Sequence, residues 1–163
     1  MYNKDDDMVA VLFVCLGNIC RSPAAEGILK QMVAQEKFPA PVLVESRGLG
    51  DWHQGQLPDV RMREAAGKRG VLLASRAKKI ELSDFDDFDI ILVADQKILS
   101  ELYRHVHAPE HRAKIHLMTH YSPCYKDQPV PDPYYEGDAG FEHVLNMLED
   151  ACEGLIKYIK EKK

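Results

Sequence analysis

The stretch that decides the fold is residues 9–26, VAVLFVCLGNICRSPAAE. Its first part, Val9–Val14, is apolar and rich in valine, which is typical of a parallel strand buried on both faces. The pattern then changes to helical spacing, with Ser22 placed to cap the helix and Pro23 suited to its first turn. A buried strand that leads through a short loop into a helix indicates the opening unit of an α/β sheet.

The alternation of strands and helices continues along the rest of the chain. Further strands are predicted at Val42–Glu45, Asp89–Ala94 and Lys114–Met118. Helices are predicted from Pro58 to near Gly70, over Gln96–Arg104, and along the apolar stripe Phe141–Ile159, which Asp138 is placed to cap. Strands in this order pair in parallel through right-handed crossovers. We therefore expect a flexible segment at 1–8 and a single α/β domain at 9–163, with an open four-stranded parallel sheet flanked by helices on both faces.

The composition excludes several classes of protein. With 45% hydrophobic and 29% charged residues, the 163-residue chain is not collagen-like, disordered or a disulfide scaffold. Its net charge of −5 argues against general nucleic-acid binding, which needs clustered positive charge. No apolar run approaches the roughly 20 residues of a membrane span, and the polar start does not resemble a signal peptide. We expect a cytoplasmic protein that engages neither membrane nor nucleic acid.

The loop between the first strand and the first helix reads Cys15-Leu16-Gly17-Asn18-Ile19-Cys20-Arg21-Ser22. Such a loop aims several backbone N–H groups and a helix N-terminus at one point, and this arrangement binds anions, phosphate above all. Gly17 permits close approach of a ligand, and Asn18 tolerates left-handed dihedrals. Arg21 can add two parallel hydrogen bonds to phosphate oxygens. The sequence therefore predicts a phosphate-binding loop at residues 15–22.

Cys15 stands at the start of this loop. A field that binds phosphate also favours thiolate over thiol, and Ser22 can donate a hydrogen bond to that thiolate. A bound phosphoryl group would then lie against a ready nucleophile, which predicts phosphoryl transfer through a cysteinyl-phosphate. The alternative is that Cys15 is a small buried residue that ends the strand, with Arg21 in solvent.

Metal ligation is a weaker hypothesis. Cys15 and Cys20 are not at a zinc spacing, and no second cysteine pair matches them. Five histidines lie close together in one polar stretch, where solvated or capping histidines are a better interpretation than a metal site: His105, His107, His111, His116 and His120. We expect no metal and no organic cofactor.

The chain resembles the low-molecular-weight protein tyrosine phosphatase family. Residues 11–26 look like the signature of that family almost without change. Further matches follow in order at Ser46 and Gly48, at the Trp-containing residues 50–53, at residues 59–61, and at Asp132-Pro133-Tyr134-Tyr135. The resemblance covers about Val9 to Ile159 and implies the same four-stranded parallel α/β fold.

Carried over to this chain, the resemblance implies chemical roles for three residues. Cys15 is the nucleophile and Arg21 clamps the phosphate. Asp132 is the general acid that protonates the leaving phenolate, and then the general base for the hydrolytic water. This mechanism needs Asp132 to be protonated while the Cys15 sulfur is ionised. We therefore expect the activity to be highest at mildly acidic pH.

The resemblance also implies supporting roles. Asn18 and Ser22 hold the loop geometry, with Ser46 in the same hydrogen-bond network. The walls of the slot for a phosphorylated ring are expected to be Leu16, Ile19, Trp52, Tyr134 and Tyr135. Cys20 resembles the family's second loop cysteine, which can close a reversible disulfide with Cys15 after oxidation.

Two places depart from the family pattern. Arg47 and Leu49 stand where members often have small residues and threonine, and Arg47 is expected either near the loop or pointing outward. Ser75 stands where some members have a buried histidine that supports the loop, which leaves open how Ser46 and Asn18 are held.

Three other functions are alternatives for a chain with this loop. A protein arginine phosphatase on the same scaffold carries threonine at the position of Ile19, by resemblance. A thioredoxin-linked arsenate reductase needs two further cysteines, yet no cysteine lies between Arg21 and Pro123. A phosphate-binding module without turnover has no use for Asp132. We therefore expect a phosphotyrosine protein phosphatase, whose partner is a phosphotyrosine-containing protein, with a tyrosine kinase as a candidate.

Overall fold

The central sheet has four parallel strands, as the sequence predicts, and the structure gives their order as β2-β1-β3-β4. The computed structural model describes residues 8–38, 40–134 and 136–162. Residues 1–7, most of the predicted flexible segment, lie outside that range, so the proposed boundary of the domain stays a prediction. The strands are β1 Val9–Cys15, β2 Val42–Gly48, β3 Ile90–Val93 and β4 Ile115–Leu117.

The first strand is the centre of the fold, and all seven of its residues are buried. It pairs with β2 on one side and with β3 on the other, so that Val14 is opposite both Arg47 and Val93. Cys15, the last residue of β1, is opposite Gly48, the last residue of β2. The carboxyl ends of three strands therefore meet where the Cys15–Ser22 loop begins. This is the edge at which open α/β sheets bind ligands.

Helices cover both faces of the sheet. The crossover from β1 to β2 and the crossover from β3 to β4 run in opposite directions across the sheet. Because crossovers between parallel strands are right-handed as a rule, the opposite directions place the helices on opposite faces. The helices are α1 Arg21–Gln35, α2 Val60–Gly67, α3 Asp84–Asp87, α4 Gln96–His105, α5 Pro109–Arg112 and α6 Asp138–Lys162.

The predicted helices are present, with some differences at their ends. Helix α2 ends at Gly67 rather than near Gly70, and the chain leaves it through a turn in which Gly70 has a φ of 78°. Asp138 is the first residue of α6, whose predicted apolar stripe is buried and includes the Cys152 thiol. Helices α3 and α5 were not predicted, because four residues are too few for a helical period to show.

Within the described residues, no helix combines the length and the hydropathy that crossing a bilayer would need.

Candidate active site

The backbone of the Cys15–Ser22 loop is held from outside. The carbonyl groups of Cys15 and Leu16 accept hydrogen bonds from the N–H groups of Leu49 (3.0 Å) and Gly50 (3.3 Å). The carbonyl group of Ile19 accepts one from the N–H group of Asp59 (2.7 Å). These carbonyl groups are therefore occupied by the segments that surround the loop. This favours a concave side lined by N–H groups, which is the arrangement that binds an anion.

Asn18 gives the loop its shape. Its φ of 58° lies in the left-handed region that asparagine tolerates better than most residues. Its Nδ2 atom donates to the Oγ atoms of Ser22 (2.8 Å) and Ser46 (2.9 Å), and its Oδ1 atom accepts from the N–H group of Lys78 (2.9 Å). Gly48 lets the loop pack this closely, since a Cβ atom there would lie 3.1 Å from the Asn18 backbone nitrogen.

Ser22 contacts the Cys15 sulfur rather than capping the helix. Its Oγ atom lies 2.9 Å from the Sγ atom of Cys15, and both residues are buried. Helix α1 starts at Arg21, with Cys20 at the N-cap and no capping bond from a side chain. The expectation that Ser22 caps the helix is wrong, because the hydroxyl group is turned into the loop.

Glu26 extends this network into helix α1, and the sequence analysis did not identify it. Ser46 Oγ donates to Glu26 Oε1 (2.5 Å), and Lys30 Nζ donates to Glu26 Oε2 (2.6 Å). Ser75 lines a cleft of about 470 Å³ together with Glu26 and Lys30. Ser46 is therefore held by the Glu26 carboxylate, and Asn18 by the Lys78 N–H group. This chain has Ser75 at the position where the family it resembles can have a supporting histidine. The available signal was a charged residue within the otherwise apolar run Pro23–Leu29.

The Arg21 side chain is buried and is hydrogen-bonded to two segments that lie later in the sequence. Its Nη1 atom donates to Asp95 Oδ2 (2.8 Å) and to the carbonyl group of Val130 (2.9 Å). Asp95 also caps helix α4 by accepting from the N–H group of Ile98 (3.0 Å). Asp95 is not among the predicted site residues, although an aspartate between a buried strand and a helix is a usable signal.

A pocket of about 220 Å³ opens above the loop and brings the predicted residues together. It is lined by Cys15, Leu16, Gly17, Ile19, Cys20, Arg21, Trp52, His53, Asp59, Asp132 and Tyr134. Four of the five predicted wall residues are among them, while Tyr135 lies outside the described residues. Leu16, Trp52 and Tyr134 are exposed, with Trp52 at 64%, so the mouth of the pocket is aromatic and apolar. His53 and Asp59 are additional members that the sequence analysis did not single out.

Asp132 lies at the mouth of the pocket in the loop between β4 and α6. It is exposed, and its Oδ1 atom accepts a hydrogen bond from the N–H group of Tyr134 (3.0 Å). A carboxyl group at this place can exchange protons with solvent and still face a ligand that sits on the loop.

Cys20 lines the same pocket as Cys15, and both are free thiols. Burial raises the pKa of the Cys20 thiol well above its ordinary value, and the negative charges of Cys15, Asp132 and Asp59 raise it further. Cys20 is therefore a neutral thiol at physiological pH, which makes it a poor nucleophile.

Arg47 neither lines the pocket nor points outward. Its side chain is buried, with Nη2 at 2.9 Å from Glu45 Oε1 and Nε at 3.4 Å from Asp84 Oδ2. Its guanidinium group also lies 5.7 Å from the ring centroid of Phe88. This departure from the family pattern is therefore accommodated by helix α3 and the residue after it.

Histidines of the polar stretch contact carboxylates and one another. His111 contacts Asp86 (2.6 Å) and His120 contacts Asp127 (2.9 Å), while the ring of His116 stacks on that of His120 at 4.2 Å. No group of side chains suited to hold a metal ion occurs among the residues that the structure describes.

Comparison with known proteins identifies the family. The profile of the family described as "Low molecular weight phosphotyrosine protein phosphatase" matches residues 10–163. A putative low molecular weight protein-tyrosine-phosphatase of Synechocystis is 42% identical over 146 residues, which are 90% of this chain and 93% of that protein.

Solved structures give the same result. A protein tyrosine phosphatase of Entamoeba histolytica, crystallised with Hepes in its active site, superposes with a TM-score of 0.89 at 39% identity, covering 94% of this chain and 98% of that one. A Drosophila arginine phosphatase superposes with a TM-score of 0.84 at 33% identity, covering 92% and 97%. With the sheet, the loop and the pocket described above, these matches show that the chain belongs to the low molecular weight phosphotyrosine protein phosphatase family.

Proposed function

We propose that this chain hydrolyses phosphotyrosine in proteins through a cysteinyl-phosphate intermediate. The observation that carries the proposal is the single pocket lined by Cys15 and Arg21, which come from one loop, and by Asp132, which comes from a distant part of the sequence. Family membership supports a phosphoprotein as the substrate.

In the first step the Cys15 thiolate attacks phosphorus. The S–P bond forms and the P–O bond to the tyrosine ring breaks, while Asp132 gives its proton to the departing phenolate oxygen. The hydrogen bond between Ser22 and the sulfur, at 2.9 Å, supports a role for Ser22 in stabilising the thiolate that leaves and re-forms.

In the second step a water molecule attacks the phosphorus of the intermediate. The Asp132 carboxylate takes a proton from that water, the new P–O bond forms and the S–P bond breaks, which returns the thiolate and releases inorganic phosphate. Arg21 holds the phosphoryl oxygens through both steps. Among the described residues, the side chain of Arg21 donates hydrogen bonds to protein acceptors from Nη1. Its other guanidinium nitrogens are thereby left to bind two phosphate oxygens side by side.

The pocket walls support an aromatic ester. Leu16, Ile19, Trp52 and Tyr134 offer apolar and aromatic contacts to a flat ring, and the described walls include no carboxylate beyond Asp59 and Asp132. We propose that a phosphotyrosine protein in the cytoplasm is the substrate, with a tyrosine kinase as a candidate partner, and that neither nucleic acid nor membrane takes part.

An arginine phosphatase is the second candidate, because the Drosophila structure named above shares the fold at 33% identity. Ile19 is the feature that argues against it, since its bulk fits the face of a ring and the resemblance implies threonine in arginine phosphatases.

Paired peptides that carry phosphotyrosine or phosphoarginine in the same sequence would test the assignment. We expect kcat/KM for phosphotyrosine to exceed that for phosphoarginine by at least about 100-fold, and we expect Ile19→Thr to narrow the ratio. A higher kcat/KM for phosphoarginine would overturn the proposal. Cys15→Ser and Asp132→Ala are the matched controls: the first should abolish turnover on both peptides while oxyanion binding persists.

We further propose that Cys15 and Cys20 form a reversible disulfide on oxidation. Both thiols line the pocket, so a sulfenic acid on Cys15 has a thiol in the same cavity to condense with, releasing water. Mild peroxide treatment followed by peptide mapping should give a Cys15–Cys20 linkage that dithiothreitol reverses. Over-oxidised Cys15 with an intact Cys20 thiol would contradict this.

A further inference from the structure

We propose that Arg61 is a positioning residue that sets the place of the Asp132 carboxyl group relative to the Cys15–Ser22 loop. The inference rests on the proposed role of Asp132 as general acid. It concerns a residue outside the pocket lining, one that reaches the reaction only through its neighbours.

The first half of the connection joins Arg61 to the loop. Asp59 accepts from Arg61 through both carboxylate oxygens, at 3.2 Å from Nε and 3.0 Å from Nη2. The same carboxylate also accepts from the backbone N–H group of Arg61 (2.8 Å), so the pair is fixed at the start of helix α2. The backbone N–H group of Asp59 donates to the carbonyl group of Ile19 in the loop (2.7 Å). Arg61 is therefore bonded to Asp59, and the backbone of Asp59 contacts the phosphate-binding loop directly.

The second half joins Arg61 to the acid. Its Nη1 atom donates to the carbonyl group of Tyr134 (2.9 Å), and its guanidinium group lies 5.0 Å from the centre of the Tyr134 ring. The N–H group of Tyr134 donates to Asp132 Oδ1 (3.0 Å). Tyr134 is thus bonded to Asp132 by its N–H group and to Arg61 by its carbonyl group, so displacement of Arg61 would move the acid.

Arg61 is also held from the side of the last helix. Its guanidinium group lies 4.9 Å from the centre of the Phe141 ring, which is buried in the core. The Arg61 side chain is 42% exposed. It is nevertheless held by hydrogen bonds from all three guanidinium nitrogens and by contacts with two aromatic rings. An exposed ion pair alone contributes little to folding, because solvent screens it. The contacts are better explained by geometry, because they connect the two parts of the pocket that must keep a fixed distance.

The charge on Asp59 supports this arrangement. Burial alone would raise the pKa of Asp59, but hydrogen bonds from Arg61 outweigh it and lower the pKa below its ordinary value. The pair therefore stays ionised throughout the pH range in which the enzyme is expected to work.

The test compares Arg61→Met and Arg61→Lys with wild type on two substrates. Phosphotyrosine needs a protonated leaving group, whereas p-nitrophenyl phosphate has an activated one. We expect Arg61→Met to lower kcat/KM for phosphotyrosine by about 10- to 100-fold, since a displacement near 1 Å can cost about 100-fold. The loss on p-nitrophenyl phosphate should be below about threefold, and Arg61→Lys, which keeps a cation and a donor, should recover part of the difference.

Arg69→Met is the matched control. Arg69 also connects the region of helix α2 to helix α6, but its ion pairs are with Glu142 (2.6 Å) and Glu149 (3.0 Å) rather than with the segment that carries Asp132. We expect this variant to leave the ratio of the two substrates unchanged. In the Asp132→Ala background, Arg61→Met should cause no further loss on phosphotyrosine, because the acid it positions is gone.

The outcomes separate this inference from the proposed function. Equal losses on both substrates in Arg61→Met, or a full additional loss on top of Asp132→Ala, would overturn the positioning role while leaving the chemistry intact. A wild-type enzyme without phosphotyrosine activity would instead refute the proposed function. An Asp132→Ala variant that loses both substrates equally would refute the acid assignment.

Discussion

The Oγ atom of Ser22 lies 2.9 Å from the Sγ atom of Cys15 and accepts a 2.8 Å hydrogen bond from Asn18 Nδ2. Because Asn18 occupies a lone pair of that oxygen, the hydroxyl proton can be directed to the sulfur. The other acceptor within reach, the carbonyl group of Arg47, is at 3.4 Å. The asparagine therefore orients the serine, and the serine is placed to stabilise negative charge on sulfur.

Ser22→Ala should weaken the nucleophile. A hydrogen bond to a charged group contributes about 1.5–3 kcal/mol, so its loss should slow alkylation of Cys15 by iodoacetate at a fixed, mildly acidic pH by about tenfold or more. Peptide mapping of the alkylated protein gives the rate at Cys15 directly. Ser75→Ala, in the cleft beside Glu26, is the control and should alkylate at the wild-type rate. An unchanged rate in Ser22→Ala would show that the hydroxyl proton points elsewhere.

Cys20→Ser should leave the pH–rate profile in place. Since burial, followed by the charges of Cys15, Asp132 and Asp59, raises the pKa of Cys20, this thiol is neutral from mildly acidic to neutral pH. Serine is neutral over the same range, so neither limb of the profile should move. The measurement is kcat/KM for p-nitrophenyl phosphate across that range. A shifted limb would mean that Cys20 titrates where the enzyme works.

Two helical glycines should respond to alanine in opposite directions. A Cβ atom at Gly154 in α6 would lie 1.8 Å from the carbonyl oxygen of Tyr121, so Gly154→Ala should lower the free energy of unfolding by about 1–3 kcal/mol. A Cβ atom at the exposed Gly67 would meet nothing within 4 Å, and Gly67→Ala should raise the same quantity by about 0.5 kcal/mol. Urea denaturation of the two variants measures both. A stabilising Gly154→Ala would contradict the packing of α6 on Tyr121.

The stacked rings of His116 and His120 should make the free energy of unfolding depend on pH. Burial, followed by the charge of His120, lowers the pKa of His116. As pH falls through the ordinary histidine range, the unfolded chain binds a proton that folded His116 resists, so the folded state loses stability. His116→Asn should reduce that loss by on the order of 0.5 kcal/mol, since the ring is only half-buried. Denaturation curves at neutral pH and at about pH 5, with His107→Asn as control, would check it. A larger loss of folding stability at low pH in His116→Asn than in wild type would contradict this prediction.

The fold was predictable because its signals are local. The short, valine-rich run before Cys15 is typical of a strand buried on both faces, and the apolar stripe of α6 has the helical period over its full length. Helix α3 was not predictable in this way, since it is one turn long and depends on contacts with Arg47 from the neighbouring strand.

The candidate site was predictable where the residues are close in sequence, as in the Cys15–Ser22 loop. Its long-range partners were harder to find. Asp95 and Glu26 bind Arg21 and Ser46 through side chains that become neighbours only after the sheet forms. Arg61 illustrates the limit, because no sequence spacing shows that its guanidinium group reaches the carbonyl group of Tyr134.

Val130 attaches the segment before Asp132 at two points. Its N–H group donates to the carbonyl group of Ala94 (2.8 Å), and its own carbonyl group accepts from Arg21 (2.9 Å). During synthesis the ribosome releases the nucleophile early and the acid near the end of the chain. A nascent or truncated product that stops before Val130 therefore carries Cys15, the proposed nucleophile, without Asp132, the proposed proton donor. Such a fragment also lacks helix α6, whose apolar stripe is buried in the core, so the proposed site is complete only when this last helix has packed.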